Sequence, residues 1–297
     1  APFTGAERQL YQDLGVLLRT RRSQLQSILA ALELQAQDRR QAATQIAASV
    51  LVTAAAMRRE IDRDAAADAP RKAALVRDFK SSLTAHVDRA VQAMLAVYGF
   101  RAGDADMALA PWTSGRWEGD LFNPQTLVDA GQKLGTGAAV GAAVGLVADV
   151  ALAGLSLGAA TALGAAVGGL ASQGWSQVPR KLANRMRGTE ELTLENEVLL
   201  LLAGSLLRLC AALEQRGHAA LETLHVGTEA AGSAALDAIT ELVANLSPAR
   251  SYPHWELSAK AKPDADPRRV RLVERVAQQL RRALAANGAA WTGQPHG

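Results

Sequence analysis

The sequence reads LGTGAAVGAAVGLVADVALA at residues 134–153 and LSLGAATALGAAVGGLASQG at residues 155–174, and these two stretches decide how it folds. Together they contain one charged residue, Asp149. A helix at a protein–water boundary needs a polar face, and neither stretch has one. Each must therefore be surrounded by protein or by lipid. Each also has roughly the 20 residues that a helix needs to cross a bilayer core.

Small residues recur at helical spacing along both stretches, so that two helix backbones can approach closely. We predict a glycine-zipper hydrophobic helical hairpin that bends at residues 153–156. Trp117 and Trp175 flank it, and basic residues lie outside both ends, which predicts cytoplasmic ends with tryptophans near the headgroups. The predicted packing or membrane-contact positions are Gly137, Gly141, Gly145, Asp149, Gly154, Gly158, Gly164 and Gly168.

The free energy of membrane insertion is marginal for the first arm. Leu and Val contribute about −0.3 to −0.6 kcal/mol each, whereas one Asp costs about 2.5 to 3.5 kcal/mol. We therefore expect membrane contact to be conditional, with burial in the core of a soluble protein as the alternative.

The remainder of the chain has helical periodicity. Residues 16–69 contain neither Gly nor Pro, and their apolar residues recur at threes, fours and sevens, which predicts one long helix reaching Asp62. A second begins after Asp68 and returns along it, and Thr193 is the predicted N-cap of an apolar helix that contains Cys210. We predict an all-α fold of long antiparallel amphipathic helices plus the hairpin, with no strands. The predicted divisions are a stalk or bundle at 1–110, the hairpin with its flanks at 111–190, and a C-terminal helical part at 191–297.

Composition limits the class of protein. A single cysteine, Cys210, excludes an internal disulfide and fits a reducing compartment. No secretory leader is visible at the start, so we expect a cytoplasmic protein, peripheral to the inner membrane or inserted by its hairpin. The C-terminal helix is crowded with arginines, which predicts a basic surface for an anionic membrane. These residues are Arg268, Arg269, Arg271, Arg275, Arg281 and Arg282.

No motif indicates an enzyme. Gly154-Leu155-Ser156-Leu157-Gly158 has the spacing of a hydrolase elbow, but that chemistry needs a strand-to-helix turn in a parallel sheet, and we assign Ser156 to the hairpin bend. The sequence contains no P-loop, and His218 and His225 lack the cysteines and uninterrupted helix expected of a metal site. Trp255, expected to be exposed, does not belong to an interleaved basic and aromatic pattern. We expect no cofactor, no metal and no nucleic acid.

Four segments carry a resemblance to a known family. They are WEGDLFNPQTL at 117–127, the glycine hairpin with Asp149, ELT at 191–193 and AALEQRGHA at 211–219. Together they resemble an uncharacterised C-terminal helical domain that follows a Ras-like P-loop GTPase domain in a bacterial protein family. The resemblance implies an effector or membrane-engaging module, with a GTPase domain in the same parent protein as its partner and no catalytic residues to transfer.

The sequence thus favours a non-enzymatic, membrane-associating helical effector domain of a GTPase-type protein. Two alternatives stay open: a soluble helical interaction scaffold with the hairpin as its core, and a domain like those of pore-forming toxins. Membrane lipid, preferably anionic, is the expected partner, and homo-oligomerisation is left open.

Overall fold

Helices dominate the part of the chain that the structure describes. The computed structural model describes residues 5–62, 68–100, 155–157, 189–215, 233–256 and 266–291. The helices in these ranges are α1 (Gly5–Leu17), α2 (Arg22–Ala56), α3 (Ala69–Val97), α4 (Asn196–Gln215), α5 (Ser233–Asn245) and α6 (Pro267–Trp291), with short 3₁₀ helices at Arg19–Arg21, Ser247–Ser251 and Pro253–Trp255. The predicted helical class is confirmed.

The prediction that the fold contains no strands was wrong. Strands β1 (Arg58–Asp62), β2 (Leu155–Leu157) and β3 (Thr189–Leu194) form an antiparallel sheet in the order β1-β3-β2. β3 alternates in burial, with Leu192 and Leu194 buried and Thr193 half-buried, as expected of a strand with one face on the core. Thr193 is therefore a strand residue rather than a helix cap, and α4 begins only at Asn196.

The long helix α2 ends six residues before the predicted point because its backbone turns into β1. Met57 has ψ 130°, and its N–H still donates to the carbonyl oxygens of Thr53 and Ala54. The residues that follow then pair with β3, with Arg58 opposite Thr193 and Asp62 opposite Thr189. Strand pairing satisfies the backbone groups that helix continuation would otherwise have satisfied, so helical periodicity does not reveal this boundary.

α2 and α3 are antiparallel, as predicted. The guanidinium of Arg59, just after α2, lies over the ring of Phe79 in the first half of α3, with 5.7 Å between the guanidinium carbon and the ring centroid. At the other end of α3, Tyr98 lies within the electrostatic reach of Arg40, in the middle of α2. Asp68 caps α3 by accepting from the backbone N–H of Arg71, and Pro70 follows in the first turn.

α4 runs through the centre of the helical core. It packs against α2, α5 and α6. Most of its apolar residues are buried, and Cys210 is a small residue of this core. Arg40 of α2 holds the end of α4 through a bidentate pair with Glu214, with Nε to Oε1 at 2.7 Å and Nη2 to Oε2 at 2.9 Å. α6 in turn packs on α2 and α5, which closes the bundle.

Candidate functional site

A shallow basic groove lies where α6 begins. It has a volume of about 200 Å³ and is formed by one wall of arginines from α6 and one wall from the 3₁₀ helices that precede it. The lining residues are Arg268, Arg271, Leu272 and Arg275 on one side, with Pro248, Tyr252 and Trp255 on the other. We call this feature the basic groove.

Helical spacing explains why three arginines share the groove. Arg268, Arg271 and Arg275 stand at positions i, i+3 and i+7 of α6, which places them along one face of a helix. All three are exposed. Within the described residues, neither Arg271 nor Arg275 forms a salt bridge with a carboxylate.

Aromatic side chains form the opposite wall. Tyr252 stacks on Trp255, with ring centroids 4.3 Å apart and planes 18° apart. Arg268 lies over the Tyr252 ring at 5.9 Å and donates from Nη1 to the tyrosine oxygen at 3.2 Å. Contrary to the expectation of exposure, Trp255 is buried, because its ring packs beneath Tyr252.

Asp266 fixes the groove's geometry. Its Oδ2 accepts from Trp255 Nε1 at 2.8 Å and its Oδ1 accepts from the backbone N–H of Arg268 at 2.8 Å. The indole hydrogen bond, followed by the backbone one, lowers the pKa of the Asp266 carboxyl. Asp266 is thus ionised at neutral pH and precedes Pro267, the combination of N-cap aspartate and first-turn proline that favours a helix start.

The groove is attached to the sheet through two arginines. Arg250 donates to the carbonyl oxygen of Leu194 in β3 at 2.9 Å and to Asn196 Oδ1 at 2.7 Å. Arg59 of β1 forms a bidentate pair with Glu256, whose Oε1 accepts from Nη2 at 2.7 Å. The 3₁₀ wall is therefore held against both β1 and β3, so the basic groove and the sheet lie at the same end of the molecule.

A pair of carboxylates lies beneath this junction. Glu195 connects β3 to α4, and burial, followed by the negative charge of Glu197, raises the pKa of Glu195 to about 7. The positive charge of Arg250 acts in the opposite direction but is the smallest of the three contributions. Glu195 therefore titrates near neutral pH. Local sequence pattern did not identify this titration, because the burial of Glu195 depends on tertiary packing.

The six predicted basic-surface residues separate into two groups. Arg269 is only 2% exposed, and its Nη2 donates to Ser49 Oγ at 2.9 Å and to Thr53 Oγ1 at 3.2 Å on α2. Its assignment to a basic surface was wrong, because position 269 lies on the face of α6 that packs on α2. Arg281 is half-buried, with Nη2 bonded to Glu274 at 2.8 Å. Arg282 is exposed, along with the three arginines of the groove.

The predicted glycine hairpin lies almost wholly outside the described residues. This applies to all of its small-residue positions, to Asp149, and to the flanking Trp117 and Trp175. What the structure does describe is Leu155–Leu157, and there it differs from the prediction. These residues form β2, with Leu155 opposite Leu194, Ser156 opposite Thr193 and Leu157 opposite Leu192. The second arm does not begin as a helix at Leu155, and Ser156 lies in an antiparallel strand rather than in a turn.

Two further observations on the described residues concern metals and membranes. Within them, no group of three or more histidine, cysteine or acidic side chains is arranged to hold a metal ion. One described helix, Asn196–Glu214, is long and apolar enough to cross a membrane, with a mean hydropathy of 1.7. In this structure 67% of its apolar window is buried inside the protein, as in the core helix of a soluble protein.

The fold and the site define a helical domain with a small antiparallel sheet and a basic groove at the sheet end. The sequence matches the profile of DUF3482, a domain of unknown function, over residues 1–278, and the chain belongs to this family. Searches of curated proteins and of solved structures found no match.

Proposed function

We propose that this chain is a non-enzymatic, membrane-associating helical domain in which residues 134–174 enter the membrane only after β2 has separated from β3. The observation that carries the proposal is the position of β2. It forms the first three residues of the second uncharged stretch, at the predicted bend of the hairpin, and it pairs with the central strand of the sheet.

The pairing restricts where the uncharged arms can go. Leu157 is opposite Leu192, and Thr189 begins β3 only three residues earlier, about 10 Å along the strand. The chain between them, residues 158–188, therefore leaves the sheet and returns to nearly the same place. If the second arm crossed a bilayer as a helix while β2 stayed paired with β3, residues 175–188 would have to cross the bilayer in the opposite direction to reach β3.

Charge makes that return crossing unfavourable. Residues 175–188 include Arg180, Lys181, Arg185 and Arg187. At about 2.5 to 3.5 kcal/mol for each basic residue at the bilayer centre, the crossing would cost roughly 10 kcal/mol or more. Separation of β2 from β3 makes that return crossing unnecessary. The bend between the two arms can then reach the far side of the bilayer, while Lys133 and the basic residues of 175–188 stay together on the near side. Pairing of β2 and transbilayer insertion are thus alternatives.

A reversible disulfide across β2 and β3 tests this directly. Ser156 and Thr193 are opposite residues of an antiparallel pair, so their Cα atoms are about 4.5 to 5.5 Å apart, which suits a disulfide. The test protein carries Ser156→Cys and Thr193→Cys. It also carries Cys210→Ala, so that the one native cysteine cannot form a competing disulfide. A matched control joins β1 to β3 through Glu60→Cys and Glu191→Cys in the same background, at another opposite pair.

The assay is flotation with phosphatidylglycerol-containing vesicles at low and high salt. Surface binding is lost at high salt, where the Debye length falls to about 3 Å, whereas insertion into the hydrocarbon persists. We expect salt-resistant flotation for the reduced β2–β3 protein, none for its oxidised form, and salt-resistant flotation for both forms of the control. Absence of salt-resistant flotation under reducing conditions would refute membrane insertion. Equal flotation of the oxidised and reduced forms would refute the need for β2 to separate.

The coupling to a GTPase is a second part of the proposal, and it is supported by the sequence resemblance. In a parent protein that contains a P-loop domain, nucleotide state would alter how readily β2 separates. The measurement is the rate at which the Ser156→Cys and Thr193→Cys thiols react with a maleimide in the presence of GDP or of a non-hydrolysable GTP analogue. Identical rates would contradict the coupling.

A soluble interaction scaffold is the competing function, and one observation favours it. The most apolar described helix, α4, is mostly buried among α2, α5 and α6. A chain that never acquires salt-resistant flotation, while remaining monodisperse without detergent, would support this alternative.

A further inference from the structure

We infer that the basic groove binds the phosphate of an acidic phospholipid headgroup. The inference rests on the proposed membrane association and names the lipid chemistry that the domain recognises. It places headgroup recognition in Arg271 and Arg275, with Arg268 and Tyr252 completing the wall.

The size and chemistry of the groove suit a phosphate. A volume of about 200 Å³ is below the roughly 300 to 1,000 Å³ of sites that enclose drug-sized ligands, so the groove accommodates a compact group better than a nucleotide. Guanidinium groups bind phosphate oxygens through paired N–H donors. Arg271 and Arg275 are exposed and, within the described residues, have no acidic partner that would compete with such a ligand.

The position of the groove favours a lipid over a protein partner. Arg250, which belongs to the 3₁₀ wall of the groove, donates to the carbonyl oxygen of Leu194. Leu194 is the residue opposite Leu155, which begins both β2 and the second uncharged stretch. The 3₁₀ wall of the groove and the second uncharged stretch are therefore linked through β3, by one side-chain hydrogen bond and one strand pairing. An acidic protein partner would need the arginines but not this neighbouring apolar segment.

The test uses the oxidised β2–β3 disulfide protein, in which insertion is blocked, so that vesicle binding reports the groove alone. Arg271→Ala with Arg275→Ala removes two charges from the groove. The matched control, Arg19→Ala with Arg22→Ala, removes two exposed charges from the 3₁₀ helix that precedes α2 and from the first residue of α2. α6 contacts α2 near Thr53, so the control lies about 45 Å away by helix rise.

Binding is measured by sedimentation with phosphatidylcholine vesicles and with vesicles in which part of that lipid is replaced by phosphatidylglycerol, at low salt. Each basic residue near an anionic surface contributes about fivefold in affinity, so the groove variant should bind phosphatidylglycerol vesicles about thirtyfold more weakly. The control should change by less than about twofold.

Equal weakening of the two variants would show diffuse attraction and overturn the inference, as would an unchanged groove variant. Binding of the parent to polyglutamate but not to phosphatidylglycerol vesicles, with the same dependence on Arg271 and Arg275, would assign the groove to an acidic protein and also overturn it. Failure of salt-resistant insertion in the reduced protein affects only the proposed function, because groove binding is measured in the locked form.

Discussion

Replacement of Glu195 by glutamine should change how the stability of the protein depends on pH. Glu195 lies at the junction of β3 and α4, where burial and the nearby Glu197 raise its pKa from 4.5 to about 7. Burial in a low-dielectric environment penalises the charged carboxylate, and a second negative charge increases that penalty. Glutamine has nearly the same shape but stays neutral at every pH, so the difference between the two proteins isolates the titration of this group.

The magnitude follows from the shift. One pKa unit corresponds to about 1.4 kcal/mol, so the shift from 4.5 to about 7 corresponds to roughly 3 kcal/mol. In the folded protein the carboxyl keeps its proton up to about pH 7, whereas the unfolded chain releases it near pH 4.5. The folded state therefore binds more protons in this window. The protonated Glu195 carboxyl therefore contributes to the free energy of unfolding in full below about pH 4.5, and this contribution is lost as the pH rises through 7.

Urea unfolding between pH 4 and pH 9, followed by circular dichroism, measures the effect. Relative to Glu195→Gln, the free energy of unfolding of the parent should fall by roughly 3 kcal/mol between about pH 4.5 and pH 7, and the difference should be constant above about pH 8. Glu197→Gln is the control, because loss of its charge should move the window to lower pH. Parallel pH profiles for the parent and Glu195→Gln, or a difference of opposite sign, would refute the account of this junction.

Three further predictions concern the helical core. Phe79→Ala should lower the free energy of unfolding by about 3 to 5 kcal/mol, since the ring is fully buried beneath Arg59; a loss under 1 kcal/mol by urea titration would contradict this packing. Arg269→Ala should cost about 1 to 3 kcal/mol because the hydroxyls of Ser49 and Thr53 lose their donor, whereas Arg282→Ala should stay within about 0.5 kcal/mol; equal effects would mean that both arginines are exposed. Burial raises the pKa of the Cys210 thiol, so this cysteine should react with a thiol reagent many times more slowly in the folded protein than in urea; similar rates would place it at the surface.

Helical periodicity was sufficient to predict most of the described fold. Long runs free of Gly and Pro identified α2 and α3, and the Asp68–Pro70 pair marked the start of α3. The three strands had weaker signals. Leu-Ser-Leu at 155–157 and Leu-Thr-Leu at 192–194 do alternate, but a period of two cannot be distinguished over three residues from part of a helix. Their pairing is a contact between distant parts of the chain, and local pattern does not report such contacts.

The candidate site was predicted only in part, and the errors have a physical origin. Counting arginines identified α6 as basic but could not tell which of them face solvent. Arg268 and Arg269 are neighbours in sequence, yet a rotation of about 100° per residue places one in the groove and the other against α2. Trp255 was expected to be exposed, whereas its burial depends on stacking with Tyr252 and on the acceptor that Asp266 provides.

The sequence by itself determined that the described part of the chain is mainly helical and that its core is rich in small and aliphatic residues. These properties depend on the local order of polar and apolar residues, which acts over one or two helical turns. Only the tertiary structure decided that α2 gives way to β1 after Met57, that the start of the second uncharged stretch pairs with β3 as β2, and that Arg250 and Arg59 hold the basic groove at the same end. Each of these depends on hydrogen bonds between residues far apart in sequence, and such partners become specified only when the helices pack.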